Sequence, residues 1–442
     1  MTAPGGVWAD LVGQSAAVQV LLRAAAAAAR VGEPAAAAAK VGPNPAANRA
    51  EMAQTWLVTG PPGSGRSTAG RAFAAALQCI DPMPADPMPA DPIPADPIPA
   101  DPVPAYPAEQ APEIARFGCG RCNPCRTVHA GTHPDVLLVA TAGLSLKVRD
   151  VRELVRNAAM APTVGRWLVV VLEDADRLTD EAADALLKSV EEPPPRTVWV
   201  LCAPSVEDVP PTIRSRARHL RLRTPPADAV AAFLVARDGA DPEVALRAAR
   251  SAQGHIGRAR ALARDPDVRA RHEAVLDLAG RLTDPAACAR AAADLVATAT
   301  DDAAAATGRS DEAETARLRH QLGIAEGARP DRHASAALRE LGEEQKVRAK
   351  RAGRDHLDRA LVDLAAWYRD ILARQLGATG PAINAHRESD LAAAAAAGTA
   401  ETTLRRVDAV LAAREAVTAN VAPLLAVEAM ALQLMAGSVL GR

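Results

Sequence analysis

The chain has 442 residues, enough for two or three domains with a sizeable core, yet aromatic residues make up only 2%, so Ala, Val and Leu must fill it. A net charge of −2 excludes a global field that would hold nucleic acid, so any such contact must be local. No apolar run reaches the ~18 residues of a membrane span, and Met1–Asp10 lacks a basic region followed by an apolar stretch; both predict a cytoplasmic protein with no membrane segment.

In chain order, residues 7–23 read as a helical entry with Trp8, Leu11, Val12 and Val18 to Leu22 as its apolar points. Residues 24–50 are Ala-rich and broken by Pro34, Pro43 and Pro45, which predicts a frayed helix or a disordered loop. Strand-like runs then appear at Thr55–Thr59, Val136–Ala140, Trp167–Leu172 and Val198–Cys202, with helical runs at 67–79, 147–158 and 180–191. This alternation predicts a parallel sheet with helices on both faces. Asp81 to Ala105 is five tandem copies of D-P-x-P-A. Each Pro fixes φ and removes a donor, so the Pro-rich insert, 81–112, reads as a disordered, solvated tether expanded in a tolerant loop. After Pro226 the strand signals stop. Residues 226–278 read as short helices broken at Asp241-Pro242 and Gly254. From 279 onward helix prevails, with apolar i, i+3, i+4 spacing in Pro285–Ala297, Ala337–Arg374 and Thr403–Leu440 and a loose charged region near 300–335.

The first strand runs into Gly60-Pro61-Pro62-Gly63-Ser64-Gly65-Arg66-Ser67-Thr68. This is the phosphate-cradling loop G-x-x-x-x-G-K-[ST] with Arg66 in place of Lys, in the strand–loop–helix context the motif requires. Gly60, Gly63 and Gly65 let the backbone turn and present N–H groups to phosphate, and Ser67 is placed to reach Mg²⁺. Arg66 keeps the positive charge, but a guanidinium is wide and planar where an ammonium is compact. The substitution therefore leaves room for weak ATP/Mg²⁺ binding and works against hydrolysis.

Cys119, Cys122 and Cys125 form C-x-x-C-x-x-C, with Cys79 upstream at the end of the loop's helix. Such a cluster suits a closed tetrahedral Zn²⁺ site, against an iron–sulfur run or unmetallated thiols. The fourth ligand is Cys79 or His129, the latter spaced C-x₃-H after Cys125. Positions 80–118 lie between Cys79 and Cys119. Lengthening such a loop from about ten to about forty residues costs roughly 1–1.5 kcal/mol, far less than the ~10 kcal/mol that structural zinc supplies. Cys202 and Cys288 sit in apolar surroundings and read as buried and inert.

The strand Trp167–Leu172 ends in Glu173-Asp174, where a P-loop ATPase places its magnesium and water-activating acids. The order is reversed from the usual Asp-Glu, which makes this a degenerate acidic pair or a simple capped turn. Arg216, in the Ser215-Arg216 step, fits an arginine finger that reaches a neighbour's nucleotide in trans. Arg214, Arg218, Arg221 and Arg223 around it allow a solvated basic stripe instead.

These pieces in this order resemble the bacterial clamp-loader family, the AAA+ subunits of DNA polymerase III. The resemblance is carried by Asp10-Leu11-Val12-Gly13-Gln14, the phosphate loop, Cys79 with the three-Cys knuckle, His133-Pro134-Asp135, Ala185-Leu186-Leu187-Lys188 with Glu191-Glu192-Pro193, and Ser215-Arg216. Asp174-Ala175-Asp176-Arg177-Leu178-Thr179 and the stretches Glu344–Arg354 and Trp367-Tyr368-Arg369-Asp370 are most similar to its delta-prime branch.

The resemblance implies three modules: an AAA+ nucleotide-binding domain at 1–225 with a zinc knuckle at 79–125, a helical lid at 226–278 and an all-α collar bundle for oligomerisation at 279–442. It implies a stator of the sliding-clamp loader in DNA replication, part of the polymerase III holoenzyme but not itself the polymerase. Its partners would be gamma/tau motor and delta subunits in a hetero-oligomer, and through them the clamp and primer–template DNA. Arg66, the reversed acids, Cys202-Ala203-Pro204 in place of a sensor Thr, Ala217 after Ser215-Arg216 and the shifted Arg258 all depart from the motor pattern. The alternatives are an active gamma/tau-type motor ATPase and a zinc-containing nucleic-acid-binding protein with a vestigial phosphate loop. For the latter, Lys346, Arg348, Lys350, Arg351, Arg354 and Arg359 offer a basic helix face or a merely solvated one.

Overall fold

A computed structural model describes residues 5–30, 52–82, 117–141, 145–324 and 329–439. The D-P-x-P-A repeats from 83 on, and the Ala-rich segment past Arg30, lie outside the described residues. The chain packs as two units. One holds the described residues up to 233 together with 254–256; the other holds 234–253 and everything from 257 onward.

The first unit is built on five parallel strands, β1 (Thr55–Thr59), β2 (Val136–Val139), β3 (Leu168–Leu172), β4 (Thr197–Ala203) and β5 (Arg218–Arg221), in the order β2-β3-β4-β1-β5. Around them run α1 (Ser15–Ala29), α2 (Arg66–Gln78), α3 (Asn123–His129), α4 (Val148–Ala158) and α5 (Asp180–Glu191). β1, β3 and β4 are buried along their whole length, as strands covered on both faces must be. One core lies on the α1 and α2 side, where Trp56 meets Phe73 edge-on at 5.3 Å; the other lies under α4 and α5.

Two features differ from the sequence reading. The alanines at 24–28 are helical and all buried, so this end of α1, which packs on α2, is enclosed all round, as side chains this small allow. β5 falls where a basic stripe is expected. In Arg218-His219-Leu220-Arg221 only Leu220 is buried, and the strand is held by its pairing to β1, by Arg218 stacked 5.0 Å over the Trp56 ring, and by His219 Nε2 at 2.6 Å from Thr59 Oγ1.

The second unit is helical: from residue 234 it takes up the end of α6 (Ala227–Asp238), then α7 (Pro242–Ser251), α8 (Ile256–Arg264) from 257, α9 (Pro266–Leu276), α10 (Pro285–Gln321), α11 (Arg332–Gln375), α12 (Glu388–Ala396), α13 (Ala400–Thr418) and α14 (Pro423–Val439). Of the charged stretch expected to be loose, 300–335, the part through Gln321 is instead α10, steadied by Arg348 of α11, whose Nη1 donates to Asp311 at 3.1 Å and Glu314 at 3.0 Å. The C-terminal helix expected as one piece is two, parted at Asn420 with φ 65°. The core is Leu357, Leu361, Leu364, Trp367 and Ile371 of α11 against α10, α13 and α14. Among the described residues no helix is long and apolar enough to cross a membrane.

Asp135, at the start of β2, fastens the loop that leads to β3. It accepts from Thr163 N–H at 2.6 Å, Thr163 Oγ1 at 2.9 Å, Val164 N–H at 2.8 Å and Gly165 N–H at 2.6 Å. Burial alone pushes its carboxyl up, but the four donors outweigh it and hold the pKa at about 2, below the usual 3.8. A depressed carboxylate contributes stability above its unfolded pKa and loses it as pH falls through the folded one. The expected outcome is that on the order of 2 kcal/mol of stability present at neutral pH fades between about pH 4 and pH 2. Urea midpoints measured across that window should converge for the wild type and Asp135→Asn, with the variant weaker only at the upper end.

Candidate functional site

β1 delivers the chain into the loop Gly60–Gly65, and α2 begins at Arg66 with Gly65 as its N-cap at φ 96°. Gly63, at φ 80°, has no room for a side chain: a Cβ there would stand 2.2 Å from His255 Cγ. Pro61 and Pro62 are exposed, Arg66, Ser67 and Thr68 half-buried, and Ser64 buried with its hydroxyl unpartnered. The loop is braced from behind by Gln14, whose Nε2 donates to Arg223 O at 2.6 Å and to Ser64 O at 3.4 Å, and whose Oε1 accepts from Arg223 N–H at 3.1 Å. Arg66 turns back on its own loop and donates through Nη1 to the Gly60 carbonyl.

At the end of β3 both acids are engaged. Glu173 Oε1 accepts from Arg71 Nη2 at 2.7 Å and from Arg71 Nε at 3.3 Å. Asp174 Oδ2 accepts from Thr141 N–H at 3.0 Å, and its other oxygen lies 3.7 Å from Arg177 Nε. Asp176 beside them is raised by burial, with the Asp174 charge adding to the effect. Arg216 lies between β4 and β5 rather than after the last strand, just past the helical turn Pro211–Arg214. Its side chain is exposed, ion-paired through Nε with Glu191, and its Nη1 donates to Thr212 O at 2.8 Å and Ser215 Oγ at 3.1 Å.

The second feature is the cysteine cluster. Cys79 caps the C-terminus of α2, and Cys122 is the N-cap of α3, with Cys125 in its first turn. The four sulfurs of Cys79, Cys119, Cys122 and Cys125 lie within 4.8 Å of one another. A tetrahedral site with bonds of about 2.3 Å needs sulfurs about 3.8 Å apart, so the group can hold a metal ion after small adjustments. His129 sits exposed at the far end of α3, outside the cluster. The Cys79 thiol is lowered to about 4, chiefly by the hydrogen bond from Cys125 and further by backbone donors, against burial. Cys125, donating that bond, is pushed up. Cys202 is fully buried in β4, and burial raises its thiol to about 12; burial likewise raises Cys288.

Three contributors escape a sequence reading. Arg71 carries no motif beyond its charge, and its pairing with Glu173 exists only once α2 and β3 are packed. Gln78, at the end of α2, donates to the Trp167 carbonyl and accepts from Arg166 N–H at 3.0 Å. Trp8 donates from Nε1 to Phe117 O at 2.8 Å, and Val7 N–H donates to Gly118 O at 2.9 Å, so the N-terminal segment clips onto the cysteine knuckle.

Residues 108–226 match the family described as "DNA polymerase III, delta subunit". Over 200 residues, 45% of this chain and 52% of the relative, the sequence is 32% identical to DNA polymerase III subunit delta' of Pseudomonas aeruginosa. Over 146 residues, 33% of this chain and 44% of the relative, it is 37% identical to subunit delta' of Escherichia coli K12. Over these stretches the chain is similar to subunits of DNA polymerase III, most of all to those named delta'. A gamma subunit from Buchnera aphidicola is 27% identical over 172 residues, 39% of each chain. The chain spans about half the length of the delta-prime relatives it matches.

The clip between the N-terminal segment and the cysteine knuckle is testable. Gly118 has φ 94°, and a Cβ there would stand 2.5 Å from Val7 Cγ2 and 3.0 Å from Trp8 Nε1. Gly118→Ala should therefore cost on the order of 1–3 kcal/mol and expose Trp8. Trp8 emission, isolated as the difference from Trp8→Phe, should shift to the red. Gly5→Ala, with nothing within 4 Å, should leave both readings unchanged.

Proposed function

We propose that this chain is the delta-prime subunit of the DNA polymerase III clamp loader: a non-motor stator that helps load the sliding clamp onto primed DNA during replication. It works in the cytoplasm beside gamma/tau motor and delta subunits, with the clamp and primer–template DNA reached through the complex. Residues 1–225 serve as the AAA+ module, 226–278 as the lid and 279–442 as the oligomerising collar. What carries the reading is the match of residues 108–226, which hold Cys119, Cys122, Cys125, the acidic strand end and Arg216, to the family described as "DNA polymerase III, delta subunit", together with the similarity of the chain to subunits named delta'.

The loop chemistry supports a stator over the motor alternative. Arg66 bonds to its own loop, Glu173 and Asp174 are held by Arg71, Thr141 and Arg177, and the sensor Thr is absent. Any bound ATP would rest on Gly60–Thr68, with magnesium left to acids that are otherwise engaged. Removing one transition-state contact costs on the order of 10²-fold in rate, so the lone chain should turn over ATP negligibly. Steady turnover by the pure chain, abolished by Arg66→Ala, would favour the motor reading.

The four thiols serve as a structural zinc site, with Cys79 as the fourth ligand. Thiolate donors alone, at tight C-x-x-C spacing and largely buried, are the donor set zinc prefers. Elemental analysis should return one zinc per chain, lost in Cys79→Ser and kept in His129→Ala.

Arg216 acts in trans on a neighbour's nucleotide. An arginine finger is worth roughly 10³–10⁵ in rate where it has been isolated, diluted here because other sites keep their own. Arg216→Ala should leave folding, zinc and assembly intact and lower the clamp-stimulated ATPase of the reconstituted complex. Arg214→Ala, exposed on the preceding turn, is the control. Failure of the chain to co-purify with gamma/tau and delta subunits would overturn the proposal as a whole.

A further inference from the structure

The first turns of α2 carry two guanidinium groups, Arg66 and Arg71, and the two acids that end β3, Glu173 and Asp174, are both engaged. In a P-loop ATPase, Mg²⁺ is held by the loop hydroxyl and the acid at the end of the neighbouring strand, and it neutralises the β- and γ-phosphates. Here that acid, Glu173, has only 17% of its side chain exposed and faces Arg71, one turn and a half along α2 from Arg66. Arg71 Nη2 and Nε both point to Glu173 Oε1, at 2.7 Å and 3.3 Å. Asp174 is held by Thr141 N–H and Arg177.

A magnesium ion entering this place must displace Arg71 and shed its own tightly held water to gain one carboxylate. A polyphosphate entering without metal meets Arg66 and the loop N–H groups, with Arg71 five residues further along α2 at the strand-end acid. It also offers an acceptor to the Ser64 hydroxyl, which is 1% exposed and unpartnered. Arg66 only has to trade the Gly60 carbonyl for a phosphate oxygen, a stronger, charge-assisted acceptor.

We propose that the loop Gly60–Thr68 binds a nucleoside triphosphate without magnesium, with Arg71 supplying the positive charge the ion would bring. The proposal deepens the weak nucleotide site of the preceding section and rests on it. It explains how the site retains a phosphate-binding backbone while being unable to hydrolyse: metal that activates the γ-phosphate is replaced by a fixed guanidinium tied to the acid that would orient it.

The test is titration of the full chain with a fluorescent ATP analogue in excess EDTA and in excess Mg²⁺. The expected result is affinities within about threefold of each other. Arg71→Ala should weaken binding in EDTA by about tenfold or more, the loss of one charge-assisted contact. Because it frees Glu173, Mg²⁺ should now recover part of that loss. The double variant Arg71→Ala/Glu173→Gln should weaken in EDTA to a similar degree and gain nothing from Mg²⁺. Binding by the wild type that requires Mg²⁺ would overturn the inference and leave the nucleotide site standing. Absence of binding in both conditions would overturn the nucleotide site and the inference with it, without bearing on co-purification with the sister subunits.

Discussion

Helix α2 fixes two chemistries at one separation. Its N-terminus is the phosphate loop and its C-cap is Cys79, and at 1.5 Å per residue its 13 residues span about 20 Å. The helix is buried along most of its length against β3, β4 and α1, so it cannot shift without disturbing the sheet. A second path runs outside it. Val7 and Trp8 grip Phe117 and Gly118, Leu11 N–H bonds back to Trp8 O at 3.0 Å, and Gln14 reaches Ser64 and Arg223. Knuckle and loop are therefore joined twice, once by a rigid rod and once by a hydrogen-bonded strap. Beside the knuckle, Arg121 Nε pairs with Asp81 Oδ2 at 3.0 Å on the surface.

The electrostatics of the loop follow from replacing one point charge with a planar fork. A lysine ammonium can serve a phosphate from a single position, whereas a guanidinium needs acceptors laid out in its plane. Arg66 finds one in the Gly60 carbonyl, and its neighbour Arg71 finds another in Glu173. The substitution at 66 and the pairing at 71 thus act in the same direction. Each satisfies a cation with protein oxygen and leaves less for a metal–nucleotide complex. Arg258 is likewise satisfied by protein oxygen. It ion-pairs with Asp363 of α11, which also takes His272 Nδ1 at 2.9 Å, and so serves packing within the helical unit.

Much of the sheet was legible because buried parallel strands write themselves as continuous apolar runs, and β1, β3 and β4 have no other reading. The cysteine group was legible because its spacing is chemistry, not packing; only the choice of Cys79 over His129 for the cluster required three dimensions. β5 was not legible. An edge strand with one buried residue in four has no apolar period, and its stability comes from Trp56 and Thr59, more than 150 positions away. The helical stretch of α1 through Ala28 was hidden for the opposite reason: polyalanine has no amphipathic pattern to read, yet packs closely once α2 lies beside it. Along α10 the charges that suggested a loose region are partners for Arg348, a cancellation visible only across the helix pair.

Arg216 shows how a residue can be held and still be available. Its partner Glu191 ends α5, and both side chains are 40% exposed. An exposed ion pair of this kind is worth about 0–1 kcal/mol, less at physiological salt. Its two further acceptors, Thr212 O and Ser215 Oγ, are neutral and on the surface. A phosphate oxygen presented by a neighbouring subunit is a charged acceptor in a drier setting, where hydrogen bonds to ionised groups contribute roughly 1.5–3 kcal/mol each. The local pair is therefore the weaker partner in any such competition.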